Sequence, residues 1–336
     1  MNMKNLRSLL VVISMLNILF IAGCSSSPSE DAGAPNSDVI RMAIDTAAGG
    51  SLQFRAAEIQ GYFSNYGVEA KLTNFAMGID TVNAVLTEQA DTGIAADYAL
   101  LNSLGKGDMV ILGTLTRGKE DSSKETQLLV KGDIESASDL KGKKLGVSKG
   151  TVYEYVWAKY LEANKINEKD ITYVPYSTPD EAIIGMKKGD IDAVWVSGAL
   201  TDTFKEIDEV NQLDNLVGAG VTIDSYLLAK RSFVEKNPKS LEHALKALSE
   251  GVDYVDGHKG ETAKLAFEQL KIPEEDALKD LERTNYVLGF TKEDAVHLED
   301  MRVWLEEKGI LQDSYELKEK LALEPLKKAL PESVTY

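Results

Sequence analysis

The sequence predicts an α/β protein of two similar lobes followed by a mainly helical region. Three observations lead there. Short apolar runs alternate with amphipathic segments from Val39 to about Val221, one stretch of that alternation occurs twice, and helical patterning takes over from Lys236 onward. Strands that alternate with helices build sheets covered by helices on both faces.

Candidate strands are Val39–Ile44, Val68–Asn74, Thr92–Ala95, Val110–Leu115, Gln127–Val130, Lys144–Val147, Ile171–Pro175, Ala193–Val196 and Leu216–Val221. The segments Phe54–Asn65, Ile79–Thr87, Tyr153–Asn164 and Asp180–Lys188 between them have helical amphipathicity. Beyond Lys236 the helical candidates are Ser240–Asp256, Lys259–Leu270, Pro273–Asn285, Lys292–Lys308 and Tyr315–Leu323. The repeated stretch is Phe75–Asp91 against Tyr176–Asp192. In each, an aromatic at a strand end is followed by a helix start, an amphipathic helix and an aspartate that leads into a short apolar strand. Residue identity between the two is low; the shared order of elements is what two similar lobes would give.

The first residues have a different character. Lys4 and Arg7 precede an apolar run from Leu9 to Ala22, which is shorter than the roughly 20 residues of a membrane span. A basic start, a short apolar core and a small-residue exit read as a secretory signal. The exit, Ile21-Ala22-Gly23-Cys24, resembles a bacterial lipobox, in which the cysteine thiol takes a diacylglyceryl group. Residues 1–23 are therefore expected to be a signal peptide and Cys24 a lipid anchor. Residues 24–38, small, polar and proline-containing, are expected to be a flexible tether. Cys24 is the one cysteine, so neither an intrachain disulfide nor a cysteine metal cluster can form.

The chain is 43% hydrophobic and 27% charged, with a formal charge of −17 that becomes −19 once Lys4 and Arg7 are removed. A surface so acidic repels nucleic acid and anionic headgroups, so neither is an expected partner.

Ligands of open α/β sheets bind beyond the carboxyl ends of the strands, where helices begin with free N–H groups. The first such loop holds Asp45, Thr46, Gly49 and Ser51, with Ser51 as a natural N-cap; the second holds Met77 and Gly78, where a ligand could approach the backbone; the third holds Ala96, Asp97 and Tyr98. The second lobe contributes Gly150, Thr151 and Tyr153, and Ser197 follows a later strand. Glu154 and Glu181 fit T-x-x-E capping boxes and are read as caps rather than ligand contacts. Asp97 could likewise be only a cap. Asp45 could reach a ligand or not on equal terms. Arg117, just past a strand, is the preferred candidate for an anionic ligand group, with a solvated arginine as the alternative.

Enzyme motifs are scarce. The three histidines, His243, His258 and His297, fall in the C-terminal helical region, away from these loops and without metal-ligand spacing. No phosphate-loop or nucleophile-elbow pattern occurs. No catalytic activity, metal or cofactor is expected.

Five stretches in order resemble the substrate-binding proteins of ABC importers in the nitrate/sulfonate/taurine group, thiamine-precursor-binding relatives included. They are Gly61–Glu69, Phe75–Gly78, Asp139–Val147 with Gly150-Thr151 after it, Gly189–Trp195, and Phe233–Pro238 with Ala244–Leu248. The chain departs from that pattern at Glu88-Gln89-Ala90-Asp91, at Ser197-Gly198, and in a first loop that has Asp45 and no tryptophan or proline. The resemblance implies a two-lobed, type II periplasmic-binding-protein fold. Lobe one would be 39–130 with a return over 221–336, lobe two 131–220, and the two crossings a hinge. It also implies a monomer that captures a small polar or anionic solute (sulfonate, taurine or nitrate-like) between the lobes. The partners would be an ABC permease and its ATPase, at the extracytoplasmic face of the cell membrane. A pyrimidine or thiamine precursor stacked on Tyr62, Tyr98 or Tyr153 is the alternative cargo. A pyrimidine-forming enzyme on the same fold is the alternative class; it needs a cleft histidine and a cysteine-rich motif.

Replacement Cys24→Ala should abolish incorporation of labelled lipid into the exported protein; labelling that persists in the variant would remove the anchor.

Overall fold

The computed structural model describes residues 38–46, 51–198, 200–311 and 313–336. Cys24, the segment up to residue 37 and Gly49 lie outside the described residues.

The chain runs from β1 (Asp38–Asp45) through α1 (Leu52–Ile59) and α2 (Tyr62–Asn65) to β2 (Val68–Phe75). It continues through α3 (Gly78–Leu86) to β3 (Thr92–Ala96), then α4 (Asp97–Leu104) to β4 (Met109–Arg117). After α5 (Glu120–Lys124) and β5 (Thr126–Lys131), the same order recurs. The second run is β6 (Lys144–Ser148), α6 (Val152–Ala163), β7 (Thr172–Tyr176), α7 (Pro179–Lys188), β8 (Ala193–Ser197), α8 (Leu200–Lys205) and β9 (Val210–Asn215). Next come α9 (Leu216–Ala219), β10 (Ser225–Lys230), α10 (Arg231–Lys236), α11 (Pro238–Gly257) and α12 (Lys259–Leu270). The chain closes with α13 (Glu274–Arg283), β11 (Asn285–Gly289), α14 (Lys292–Glu307) and α15 (Glu324–Ala329).

These strands form two sheets, β11-β4-β10-β3-β1-β2 and β7-β6-β8-β5-β9. In the first, β1 is parallel to β2 and β3, while β10 is antiparallel to β3 and β4. In the second, β6 is parallel to β7 and β8, while β5 is antiparallel to β8 and β9. The orders β2-β1-β3-β10-β4 and β7-β6-β8-β5-β9 are therefore the same. Each contains one antiparallel strand delivered by the chain as it crosses between sheets. The segments matched in the sequence, β2–α3–β3 and β7–α7–β8, occupy equivalent places in the two sheets.

One hydrophobic cluster joins both sheets, from Ala43, Tyr98 and Ile111 to Leu128, Trp157 and Trp195. Trp157, Tyr160 and Trp195 pack edge-on, with centroids 5.4–6.4 Å apart, and Trp157 Nε1 donates to the Gly146 carbonyl at 2.8 Å. A second cluster lies between the first sheet and α11. There Leu241, Ala244, Leu245, Leu248, Val252 and Val255 make the buried stripe of an amphipathic helix.

The crossings run side by side. A Cβ on Gly118 would come 2.9 Å from Thr222 Cβ and 3.2 Å from the Ile223 nitrogen, so only glycine lets the strands meet there. The Gly118 N–H donates to Asp224 Oδ1 at 2.8 Å.

Several expectations change. β5 pairs with β8 and β9, so the first crossing lies between Arg117 and Thr126, not at Val130–Lys131; an apolar run does not reveal which sheet it joins. Leu216–Val221 is not a strand. Asn215 accepts from the Val217 N–H and opens α9 there, while the strand is the polar edge segment β9 just before it. β10 lies beyond the alternating region that ends near Val221, and β11 interrupts the region expected to be helical. Phe54–Asn65 breaks into two helices at Gly61, where φ is 75°. Tyr315–Leu323 forms only one 3-10 turn, Leu317–Lys320, because Leu321 bridges to Ile111 of β4.

Gly251 marks the closest approach of α11 to α1. A Cβ there would be driven into the Gln53 carbonyl oxygen and lie 2.9 Å from Ala57 Cβ. Overpacking of this kind costs about 1–3 kcal/mol, so Gly251→Ala should lower the urea midpoint accordingly; an unchanged midpoint would mean the helices separate without cost.

Candidate functional site

The carboxyl ends of strands from both sheets converge. β1 ends at Asp45, β3 at Ala96, β4 at Arg117, β6 at Ser148 and β8 at Ser197. The Tyr98 hydroxyl, in the first turn of α4, donates to Glu154 Oε2 in the first turn of α6 at 2.5 Å. One sheet is thereby joined to the other. Burial and this bond push the Tyr98 hydroxyl far above its ordinary pKa. Glu154 Oε2 also accepts from the Gly150 N–H at 3.0 Å. Glu154 therefore serves the start of α6 through the Gly150 N–H rather than the Thr151 N–H that a capping box would use, and the same carboxylate also bridges the sheets. Thr151 is the N-cap of α6, its Oγ1 accepting from the Tyr153 N–H at 3.3 Å. Glu181 likewise accepts one residue early, from the Ser177 N–H at 2.7 Å, while Thr178 accepts from the Glu181 N–H at 3.3 Å.

Hydroxyl pairs line both sheets at matching points. Tyr153 Oη meets Ser197 Oγ at 2.7 Å, and Ser197 Oγ meets Thr126 Oγ1 at 2.7 Å. In the first sheet Thr116 Oγ1 meets Ser225 Oγ at 2.6 Å. Thr126 and Ser225 are each the first residue of the antiparallel strand.

Asp45 is unusual. Its Oδ1 is buried and has no hydrogen-bond partner among the described residues. Burial pushes the carboxyl up to about 7 against the pull of the Arg55 charge. Arg55 is itself buried, with Nη1 on Gln269 Oε1 at 2.8 Å, Nη2 on Asn74 Oδ1 at 2.6 Å and Nε on Ser51 Oγ at 3.4 Å. Ser51 stands at the N-cap of α1 but makes no side-chain cap bond, since its hydroxyl serves Arg55. Thr46 N–H donates to the Phe75 carbonyl at 2.9 Å. Met77 is exposed. Gly78 serves packing, because a Cβ there would lie 3.1 Å from Ala95 Cα.

A third group lies where the crossings pass. Asp97 is fully buried. Its Oδ1 accepts from the Tyr98 N–H at 2.7 Å, and its Oδ2 accepts from the Asp224 N–H at 3.1 Å and from His297 Nε2 at 2.9 Å. The expectation that all three histidines stand away from these loops is thus wrong for His297. Burial lowers the imidazole pKa, but the bond to Asp97 and the charges of Asp97, Asp224 and Asp294 outweigh it and raise it to about 9. Arg117, the candidate for an anionic ligand group, is held by Asp294, with Nε–Oδ1 at 2.6 Å and Nη2–Oδ2 at 2.7 Å. Burial raises the Asp294 pKa, and Arg117 with the Thr291 N–H more than reverses it, to below the ordinary value.

Sequence reasoning misses His297, Asp224 and Asp294, and no local signal marks them: each comes from a segment distant in sequence from Asp97 or Arg117. Among the described residues, no group of three or more His, Cys, Asp or Glu side chains is placed to hold a metal ion, and no helix is long and apolar enough to cross a membrane.

A family model described as NMT1/THI5 like matches residues 51–261, and the chain belongs to that family. The Brucella abortus (strain 2308) protein named "Putative binding protein" is 24% identical over 222 residues, which are 64% of this chain and 66% of that one, just short of two thirds of the relative's length. The periplasmic aliphatic sulphonate binding protein SsuA of Escherichia coli superposes with a TM-score of 0.71 at 19% identity, covering 84% of this chain and 97% of its own. The desulfurization enzyme DszB superposes at 0.64 and 15% identity, over 88% and 99%. At such identities the likeness is one of fold, and that fold is the two-lobed periplasmic-binding-protein arrangement expected from the sequence.

A carboxyl whose pKa is raised on folding stabilises the protein only while protonated. For Asp45 that contribution is complete below the ordinary value of 3.8 and lost as pH rises through about 7. Asp45→Asn should therefore melt higher than the parent at pH 8 and by a smaller margin at pH 4; equal melting temperatures at pH 8 would show that the carboxylate is already satisfied.

Proposed function

We propose that this member of the NMT1/THI5-like family is the solute-binding component of an ABC importer, held by lipid on Cys24 at the extracytoplasmic face of the cell membrane. The Tyr98–Glu154 bond carries the reading. It brings together two helix starts that follow strands of different sheets, the region where open α/β sheets bind ligands. A solute held by both lobes favours the closed form over the open one, and a permease can recognise that difference.

The charges narrow the cargo. α3, α4, α6 and α7 each have a first-turn carboxylate that takes a nearby N–H: Asp80 from Met77, Asp97 from Tyr98, Glu154 from Gly150 and Glu181 from Ser177. α1 has no acidic residue in its first turn. Its N–H groups suit an anionic oxygen, and Gln53 in its first turn is buried with an amide that has no partner among the described residues. Asp45, at the end of the preceding strand, suits an amine. A solute with both groups is an amino-sulfonate of the taurine kind. Nitrate lacks the donor that Asp45 would accept, and a neutral pyrimidine lacks the anion for α1.

Calorimetry with taurine, ethanesulfonate, nitrate and an aminopyrimidine tests this. Taurine should bind best, and at about 100 times its Kd add about 2.7 kcal/mol of stability. Asp45→Ala should weaken taurine by about 1.5–3 kcal/mol, the worth of a hydrogen bond to a charged group, and leave ethanesulfonate nearly unchanged. Equal binding of taurine and ethanesulfonate would overturn the role of Asp45. Selective pyrimidine binding would replace the cargo, and turnover of any compound would replace the receptor by an enzyme.

A further inference from the structure

We infer that His297 is a positioning residue for the interlobe site: its positive charge holds Asp97 against Asp224, and so fixes the second crossing on which the two lobes would turn. The inference rests on the reading above only in taking the lobes to open and close.

The geometry is specific. Asp97 and Asp224 exchange bonds, the Asp97 N–H donating to the Asp224 carbonyl and the Asp224 N–H to Asp97 Oδ2, both at 3.1 Å. Asp224 Oδ1 then accepts from Gly118 on the other crossing. Two buried carboxylates are thus clamped close together, and burial raises the pKa of Asp224. The charges that act on His297 are Asp97 on α4, Asp224 on the second crossing and Asp294 on its own helix; Arg117 at the end of β4 and Tyr226 on β10 face the same carboxylates. Tyr155 of α6 feels the charges of Asp300 on α14 and of Asp97. Arg117 is committed to Asp294 through two bonds. Among the described residues, His297 is a cation whose charge acts on both Asp97 and Asp224.

The same helix reaches the second lobe. Trp304 packs edge-on against Tyr155 with centroids 5.1 Å apart, and Lys308 pairs with Glu168 at 2.9 Å. His297 and Trp304 are seven residues apart, about two helical turns, so α14 links the crossing to α6 as one rigid piece. Neutral His297 would leave Asp97 and Asp224 facing each other without that charge, and the crossing would loosen.

The test needs no solute, so the failure of the solute panel and the failure of this inference remain distinguishable. The His297 ring is followed by NMR in the full chain from pH 6 to pH 10.5, while small-angle scattering records the radius of gyration over the same range. The parent should expand in a step that coincides with loss of the ring proton, near pH 9. His297→Gln should show the expanded value already at pH 7 and no step. A ring that titrates without a step, or a step that survives in His297→Gln, would overturn the inference. Should His297→Gln fail to fold, the parent alone decides: a coincident step supports the assignment and its absence removes it.

Discussion

The Asp97 carboxylate is wholly buried, and donors from three parts of the chain converge on it. Its own helix gives the Tyr98 N–H, the second crossing gives the Asp224 N–H, and α14 gives the His297 imidazole. Removing one partner of such a buried group typically costs about 3–5 kcal/mol, because the other is left uncompensated. The arrangement does more than add stability. It fixes where α4 starts, and so where Tyr98 meets Glu154. It also sets where the chain re-enters the first sheet as β10, and how α14 lies across the junction.

Much of the fold was legible in the sequence because its strands are buried. Strands covered on both faces read as continuous apolar runs, and Met42–Ile44, Val110–Leu112 and Ala193–Val196 are of that kind. β9 was not legible, since an edge strand of sequence VNQLDN has only Val210 buried. β10 has the apolar run Tyr226–Ala229 and was lost for another reason: it lies outside the alternating pattern that identified its neighbours. Local periodicity also could not say that β5 joins the second sheet, because sheet membership is set by long-range pairing.

The candidate site was legible as a set of loops and illegible as a set of interactions. Asp45, Asp97, Tyr98 and Tyr153 were recognisable by their place after strands or at helix starts. Their partners Arg55, Glu154, His297 and Ser197 could not be matched to them, since pairs such as Asp97 with His297 and Tyr98 with Glu154 depend on tertiary approach. The T-x-x-E pattern placed Glu154 at the start of α6 and concealed its bond to Tyr98, because a carboxylate has acceptor capacity for more than one donor.

The placement of β10 between β3 and β4 has a consequence for the order in which the protein can assemble. The second sheet is encoded by one continuous stretch, Thr126–Asn215, and can complete itself as soon as that stretch is available. The first sheet cannot. β3 and β4 are both made before the strand that must lie between them, and neither meets that shared neighbour until Lys230 has been synthesised. Pairings so distant in sequence form slowly. The half of the molecule that is made first is therefore the half that closes last, and its sheet stays open while the rest is produced.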